Sequence, residues 1–143
     1  MTTVKIKKLT DCAIMPTYGS DGAAGADLYA AESAVIAPGG TALVHTGIAM
    51  QIPEGFVGLV YARSGIAVKR GLAPANKVGV IDSDYRGEIM IALHNHSGAE
   101  ESVDRGERIA QIVIAPYLKA LFEEADSISD TERGGGGFGS TGR

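Results

Sequence analysis

The stretch TALVHTGIAMQIPEGFVGLVYA, residues 41–62, decides the fold. Residues 41–52 form a long apolar run rich in valine, isoleucine and threonine, side chains that suit a pleated, half-buried surface. Pro53-Glu54-Gly55 ends that run with turn chemistry, and residues 56–62 begin a second strand. Working outward, residues 4–9 alternate apolar side chains with lysine, and Val35-Ile36-Ala37-Pro38-Gly39-Gly40 reads as a strand end and turn. Residues 78–81, 88–95 and 108–115 are further strands, with Asn95-His96-Ser97-Gly98 and Asp104-Arg105-Gly106-Glu107 as turns between the last two. Many short strands at this spacing describe an all-β sandwich, jelly roll or small barrel. Only residues 64–71 look helical inside the core, opening on Ser64 as N-cap and closing on Gly71 as C′ residue. Residues 118–125 are a weaker helical stretch, with strand or coil as alternatives.

A chain of 143 residues with 45% hydrophobic side chains fits one domain with a real core. We place that domain at residues 1–132 and a separate tail at 133–143. A net charge of −4 argues against a general nucleic-acid or anionic-membrane binder, so any phosphate site must be local. The single cysteine, Cys12, excludes an internal disulfide and reads as a buried or half-buried side chain in a reducing cytoplasm. Residues 1–10 lack an apolar leader segment, and no stretch approaches the ~20 apolar residues of a membrane span.

After Glu132 the composition changes to Arg133-Gly134-Gly135-Gly136-Gly137-Phe138-Gly139-Ser140-Thr141-Gly142-Arg143. Glycines lose much backbone entropy on ordering, so the free tail is expected to be mobile. It also carries the parts of an anion clamp: open N–H groups, an arginine fork, two adjacent hydroxyls and one ring able to stack on a base. Arg63-Ser64-Gly65, at the helix start, presents unpaired N–H groups and positive charge to a phosphate. Gln111 places a neutral amide in an apolar strand, either as an edge-strand polar residue or as a phosphate contact. Gly79-Val80-Ile81-Asp82-Ser83-Asp84-Tyr85-Arg86-Gly87 reads as a hairpin whose Asp82 follows an apolar triplet. Partial burial there would make Asp82 a better general base toward water. His94 and His96 share a strand face but have no third metal ligand at a recognisable spacing, and His45 reads as a strand residue.

In this order the motifs resemble the trimeric dUTP pyrophosphatases, or dUTPases. Five blocks carry the resemblance: Ala24-Gly25-Ala26-Asp27-Leu28-Tyr29; Arg63-Ser64-Gly65; residues 76–87, from Asn76 to Gly87; Gly106-Glu107-Arg108-Ile109-Ala110-Gln111; and the tail. No catalytic position departs from the pattern. The resemblance implies a β jelly roll, a distorted barrel with one short helix, forming a homotrimer with C-terminal arm exchange. It implies hydrolysis of dUTP to dUMP and pyrophosphate, which keeps uracil out of DNA and supplies dUMP for dTMP synthesis. One subunit would supply the first, second and fourth blocks, a neighbour the third, and the remaining subunit the closing tail. Asp82 would activate the water that attacks the α-phosphorus. A hairpin from Asn76 to Tyr85, including Gly79, Val80 and Ile81, would bind uracil, with Tyr85 under the deoxyribose. Ser64, Gly65 and Gln111 would contact the α and β phosphates, and Arg63 would support the chain. Arg133, Gly139, Ser140 and Thr141 would hold the γ-phosphate end while Phe138 stacks on uracil. Mg²⁺ would be held mainly by the triphosphate and waters, with Asp27 acting from an outer shell.

Two other functions share parts of this pattern. A dCTP deaminase or deaminase–pyrophosphatase needs another carboxylate at the C4 position of the base, and none can be placed. A nucleotide-gated regulatory protein would not require the intact Asp82 and tail. The expected partners are therefore dUTP and other copies of the chain, with neither nucleic acid nor membrane.

Overall fold

The computed structural model describes residues 2–137 and is all-β apart from one short helix, a jelly roll. In chain order the elements are β1 (Lys5–Lys8), β2 (Thr17–Tyr18), β3 (Ala26–Tyr29), β4 (Ala34–Ile36), β5 (Thr41–Gln51) and β6 (Phe56–Tyr61). There follow α1 (Ser64–Arg70), β7 (Leu72–Pro74), β8 (Gly79–Ile81), β9 (Glu88–Asn95), β10 (Glu101–Val103) and β11 (Arg108–Pro116). One sheet has the order β1-β5-β9-β7, the other β2-β3-β11-β6-β8, and β10 pairs with β4. Alternation fills the space between them. On β9, Ile89, Ile91 and Leu93 point inward with Asn95, while the residues between them are exposed or half-buried. They meet Leu28, Ile36, Val44, Ile48, Leu72 and Ile109 in one core. Asn95 is fully buried but satisfied, donating to the carbonyls of Ile36 and Ala99 and accepting from Ser97 N.

The run that decides the fold becomes β5 and β6, and β5 carries a feature its composition hides. Its pairing with β9 jumps between His45 and Ala49, at a bulge where Gly47 has φ +68°. β5 pairs with β9 from Thr41 to His45 and again at Ala49, and with β1 from Ile48 to Gln51.

Three local expectations are corrected. Residues 76–85 are not a self-paired hairpin: β8 pairs with β6, whereas the flanking β7 and β9 belong to the other sheet. The chain crosses between sheets on both sides of β8. Ser64 is the first helical residue rather than the cap, because the extended Arg63 occupies the N-cap without a side-chain cap bond. The C-terminal stop is as expected, with Gly71 in the left-handed region at φ 69°. Cys12 is exposed, in a turn closed by Ala13 N donating to the Thr10 carbonyl.

Beyond β11, residues 117–132 run as coil rather than helix, with Leu118, Leu121, Phe122 and Ile128 about nine-tenths exposed or more. Where the edge strands β1 and β2 approach, a cavity of about 440 Å³ opens, lined by Val4, Ile6, Tyr18, Phe56, Ile112 and Ile114 among others. Among the described residues, no helix is long and apolar enough to cross a membrane.

Candidate active site

Three of the five sequence blocks meet at one end of the five-stranded sheet. β3 and β11 are neighbours with Asp27 opposite Gln111, and β11 and β6 place Gln111 opposite Tyr61. The chain then leaves β6 and enters α1, which brings Arg63 and Ser64 to the same corner. Asp27 is the hub. Its Oδ1 accepts from Arg63 Nε at 2.6 Å and its Oδ2 from Arg108 Nη1 at 3.3 Å, with the aspartate side chain only 12% exposed. Arg63 also donates to the Arg108 carbonyl. Register between β3 and β11 is irregular between Arg108 and Ala110, the kind of local twist that re-aims a side chain.

Gln111 sits on a strand flanked on both sides, so it is not an edge residue; its Nε2 donates to the Ala62 carbonyl at 2.9 Å. A side chain at Gly25 would collide with Gln111, which explains the glycine in the first block. Ser64 and Gly65 are exposed at the helix start. The corner thus offers two arginines, an open helix start and a hydroxyl, which suits phosphate oxygens. Arg108 received no role from the sequence alone; its position three residues before Gln111 on one strand was the available signal.

Asp82 lies elsewhere. Ile81 pairs with Gly58, so Asp82 continues toward the beginning of β6 while Arg63 follows its end. Six residues of strand separate the two levels, on the order of 20 Å at ~3.3 Å per residue. Asp82 is exposed rather than partly buried as the apolar triplet before it suggested, because it follows the end of an edge strand. It borders a depression of about 220 Å³ shared with Val80, Ile81, Tyr85 and Glu88. Asn76 is exposed, and Gly79 is buried against Val60, where a Cβ would come within 3.2 Å of that side chain. Arg133 is exposed and donates to the Gly136 carbonyl in a local turn. Phe138, Gly139, Ser140 and Thr141 lie outside the described residues. One protomer therefore holds an arginine corner and a separate Asp82–Tyr85 surface at different levels of the same sheet.

No group of three or more His, Cys, Asp or Glu side chains among the described residues could hold a metal. Within one protomer both carboxylate oxygens of Asp27 are engaged by arginines.

Comparison with known proteins finds relatives along nearly the whole chain. A family model described as dUTPase matches residues 11–142. A deoxyuridine 5'-triphosphate nucleotidohydrolase of Nautilia profundicola is 49% identical over 140 residues, covering 98% of this chain and 99% of that protein. One from Alkaliphilus metalliredigens is 46% identical, covering 99% of each. Among solved structures, the dUTPase of Staphylococcus bacteriophage 80alpha with dUPNHPP superposes with a TM-score of 0.93 at 31% identity, covering both chains fully. A variant dUTPase of phage phi11, described with a structural Mg(II) ion, gives 0.81 at 27% identity, covering 88% of this chain and 98% of that one. On these likenesses, which run along nearly its whole length, the chain belongs to the dUTPase family.

Proposed function

We infer that this chain hydrolyses dUTP to dUMP and pyrophosphate in sites assembled between copies of itself in a homotrimer. The observation that carries the composite site is the placement of Asp82 level with the start of β6 and of Arg63 past its end. A nucleotide held at the arginine corner needs the Asp82 surface of another protomer. The exposed arm supports association as well. Burying Leu118, Leu121, Phe122 and Ile128 on a neighbour would release roughly 1.5–3 kcal/mol each, before ordering costs. The apolar opening between β1 and β2 is a surface of matching character, which suits an exchanged C-terminal arm.

At the assembled site, Arg63, Ser64, Gly65 and Gln111 bind the phosphate chain, and Asp27 holds Arg63 in place. Asp82 from a neighbour takes a proton from a water as its oxygen bonds to the α-phosphorus. The bridging bond to the β-phosphate breaks in line, and pyrophosphate leaves. Neighbour and nucleotide together supply the enclosure that exposed Asp82 lacks in one protomer. Asn76, Gly79, Val80 and Ile81 present backbone groups to uracil, an arrangement that would leave cytosine mispaired. Tyr85 packs under the deoxyribose, where a 2′-hydroxyl would collide. The tail, through Arg133, Phe138, Gly139, Ser140 and Thr141, closes over the nucleotide and excludes bulk water. Mg²⁺ bound by the triphosphate would neutralise its oxygens, with Asp27 reaching it through water.

A panel of dNTPs with Mg²⁺, scored for pyrophosphate and ammonia, tests the reading. Pyrophosphate should come from dUTP alone. Ammonia from dCTP would instead identify a deaminase, and tight dUTP binding without turnover a regulatory binder. Asp82→Asn should keep nucleotide binding while lowering kcat by about 10²–10⁴-fold, the usual scale of a lost general base.

A further inference from the structure

The bulge in β5 leaves Gly47 N–H without a ladder partner, and a side chain fills the gap. Glu88 Oε1 accepts from Gly47 N at 2.7 Å, while its Oε2 lies 2.8 Å from His45 Nδ1. Glu88 is 20% exposed at the side chain and His45 46%. Glu32 is the other carboxylate facing the imidazole, 4.0 Å from Nε2. The bond to Glu88, then its charge, holds the His45 pKa above the ordinary histidine value. Thr46 Oγ1 donates to the Ile89 carbonyl one residue further on, so the start of β9 is fastened to the bulge at three points.

Tyr85 hangs from this anchor. Its hydroxyl donates to the Glu88 carbonyl at 3.0 Å, and its ring lies so close over Gly87 that a Cβ there would collide with it. The other hydrogen bonds of residues 82–87 stay inside the loop: Tyr85 N to the Asp82 carbonyl, and Arg86 to the carbonyls of Ser83 and Tyr85. Among the described residues, the Tyr85–Glu88 bond alone ties this loop to the framework by hydrogen bonding.

We propose that Glu88 is a positioning residue for Tyr85, fixing the ring that excludes a 2′-hydroxyl and so setting the preference for deoxyribose over ribose. The proposal depends on the dUTP reading above. Neither Glu88 nor the bulge needs to touch substrate. The carboxylate fixes the main chain, the main-chain carbonyl fixes the phenol, and the phenol fixes the floor of the sugar site.

The test is the ratio of kcat/KM for dUTP and UTP in the intact protein, compared with Glu88→Ala, Glu88→Gln, Tyr85→Phe and Tyr85→Ala. Glu88→Ala should lower the ratio by about tenfold, the scale of one misaligned pocket contact. The fall should come chiefly from a higher kcat/KM for UTP, as the floor of the site yields to the 2′-hydroxyl, with kcat for dUTP changing far less. Glu88→Gln keeps an acceptor for Gly47 N–H and should restore most of the ratio. Should Glu88→Ala fail to fold, Tyr85→Phe, which removes only the tethering hydroxyl, carries the same expected loss. A wild-type ratio in folded Glu88→Ala, or in Tyr85→Phe, with Tyr85→Ala impaired, overturns the proposal and leaves the dUTP reading standing. A wild-type protein that does not prefer dUTP overturns that reading itself.

Discussion

Replacing Asp27 with alanine should damage both stability and turnover, and the size of each loss follows from the geometry at the arginine corner. The carboxylate lies between two guanidinium groups, 2.6 Å from Arg63 and 3.3 Å from Arg108. Arg63 is mostly buried, so its charge-assisted bond contributes about 1.5–3 kcal/mol. Arg108 is 52% exposed, and its longer contact is discounted to at most about 1 kcal/mol. Loss of the carboxylate also leaves two cations facing each other with no anion between them. The sum is about 2–4 kcal/mol, or roughly 6–16 °C in Tm for a domain of this size. Calorimetry must compare variants at one protomer concentration, because assembly makes Tm concentration-dependent. Among the described residues, Arg63 then retains the Arg108 carbonyl alone as a tether. Its displacement by about an ångström should lower kcat/KM for dUTP by about a hundredfold. Asp27→Asn keeps one acceptor oxygen and should fall between the two. A Tm within about 1 °C of wild type together with normal kcat/KM would refute the hub.

Three further outcomes follow from other parts of the molecule. Because His45 is raised by Glu88, its stabilising contribution is complete below the ordinary value of about 6.5 and is lost as pH rises through the raised folded value. The Tm difference between wild type and His45→Gln should therefore shrink from pH 6 toward pH 9, and a difference that widened would contradict the pairing. Deleting residues 133–143 should leave the number of protomers per oligomer, read by light scattering, unchanged while lowering kcat by at least about a hundredfold; surviving activity would refute closure by the tail. Leu121→Asp with Phe122→Asp should shift the sedimenting mass toward monomer, whereas an unchanged trimer would remove the arm from the assembly.

The sequence exposed the long elements and concealed the short ones for physical reasons. Residues 41–62 and 88–95 are long enough to show strand chemistry, and Gly71 marks the helix end through its φ requirement. β2, β7 and β10 have too few residues to display a period of two. β3 carries a buried aspartate where a strand pattern would place an apolar residue, so it read as a motif rather than as structure. Pairing was less legible than strand identity. Nothing local to residues 76–87 reveals that β8 joins β6, because that choice is made by the core on β8's inward face. The same topology explains the site. Five motifs were readable along the chain and the family resemblance implied their division between subunits; among the described residues the sheet order brings the first, second and fourth to one corner and sets the third apart.

The central claim is that the arginine corner of one protomer works with Asp82 of another. Arg63→Ala and Asp82→Asn proteins, each nearly inactive alone, should be mixed at equal amounts, unfolded and refolded together, and assayed for dUTP hydrolysis. In a cyclic trimer assembled at random, about a quarter of the sites would pair an intact Arg63 with an intact neighbouring Asp82. Recovery of about a quarter of wild-type activity is the predicted result. Mixtures as inactive as their parents, in trimers shown to contain both variants, would place the whole site within one protomer and contradict the account.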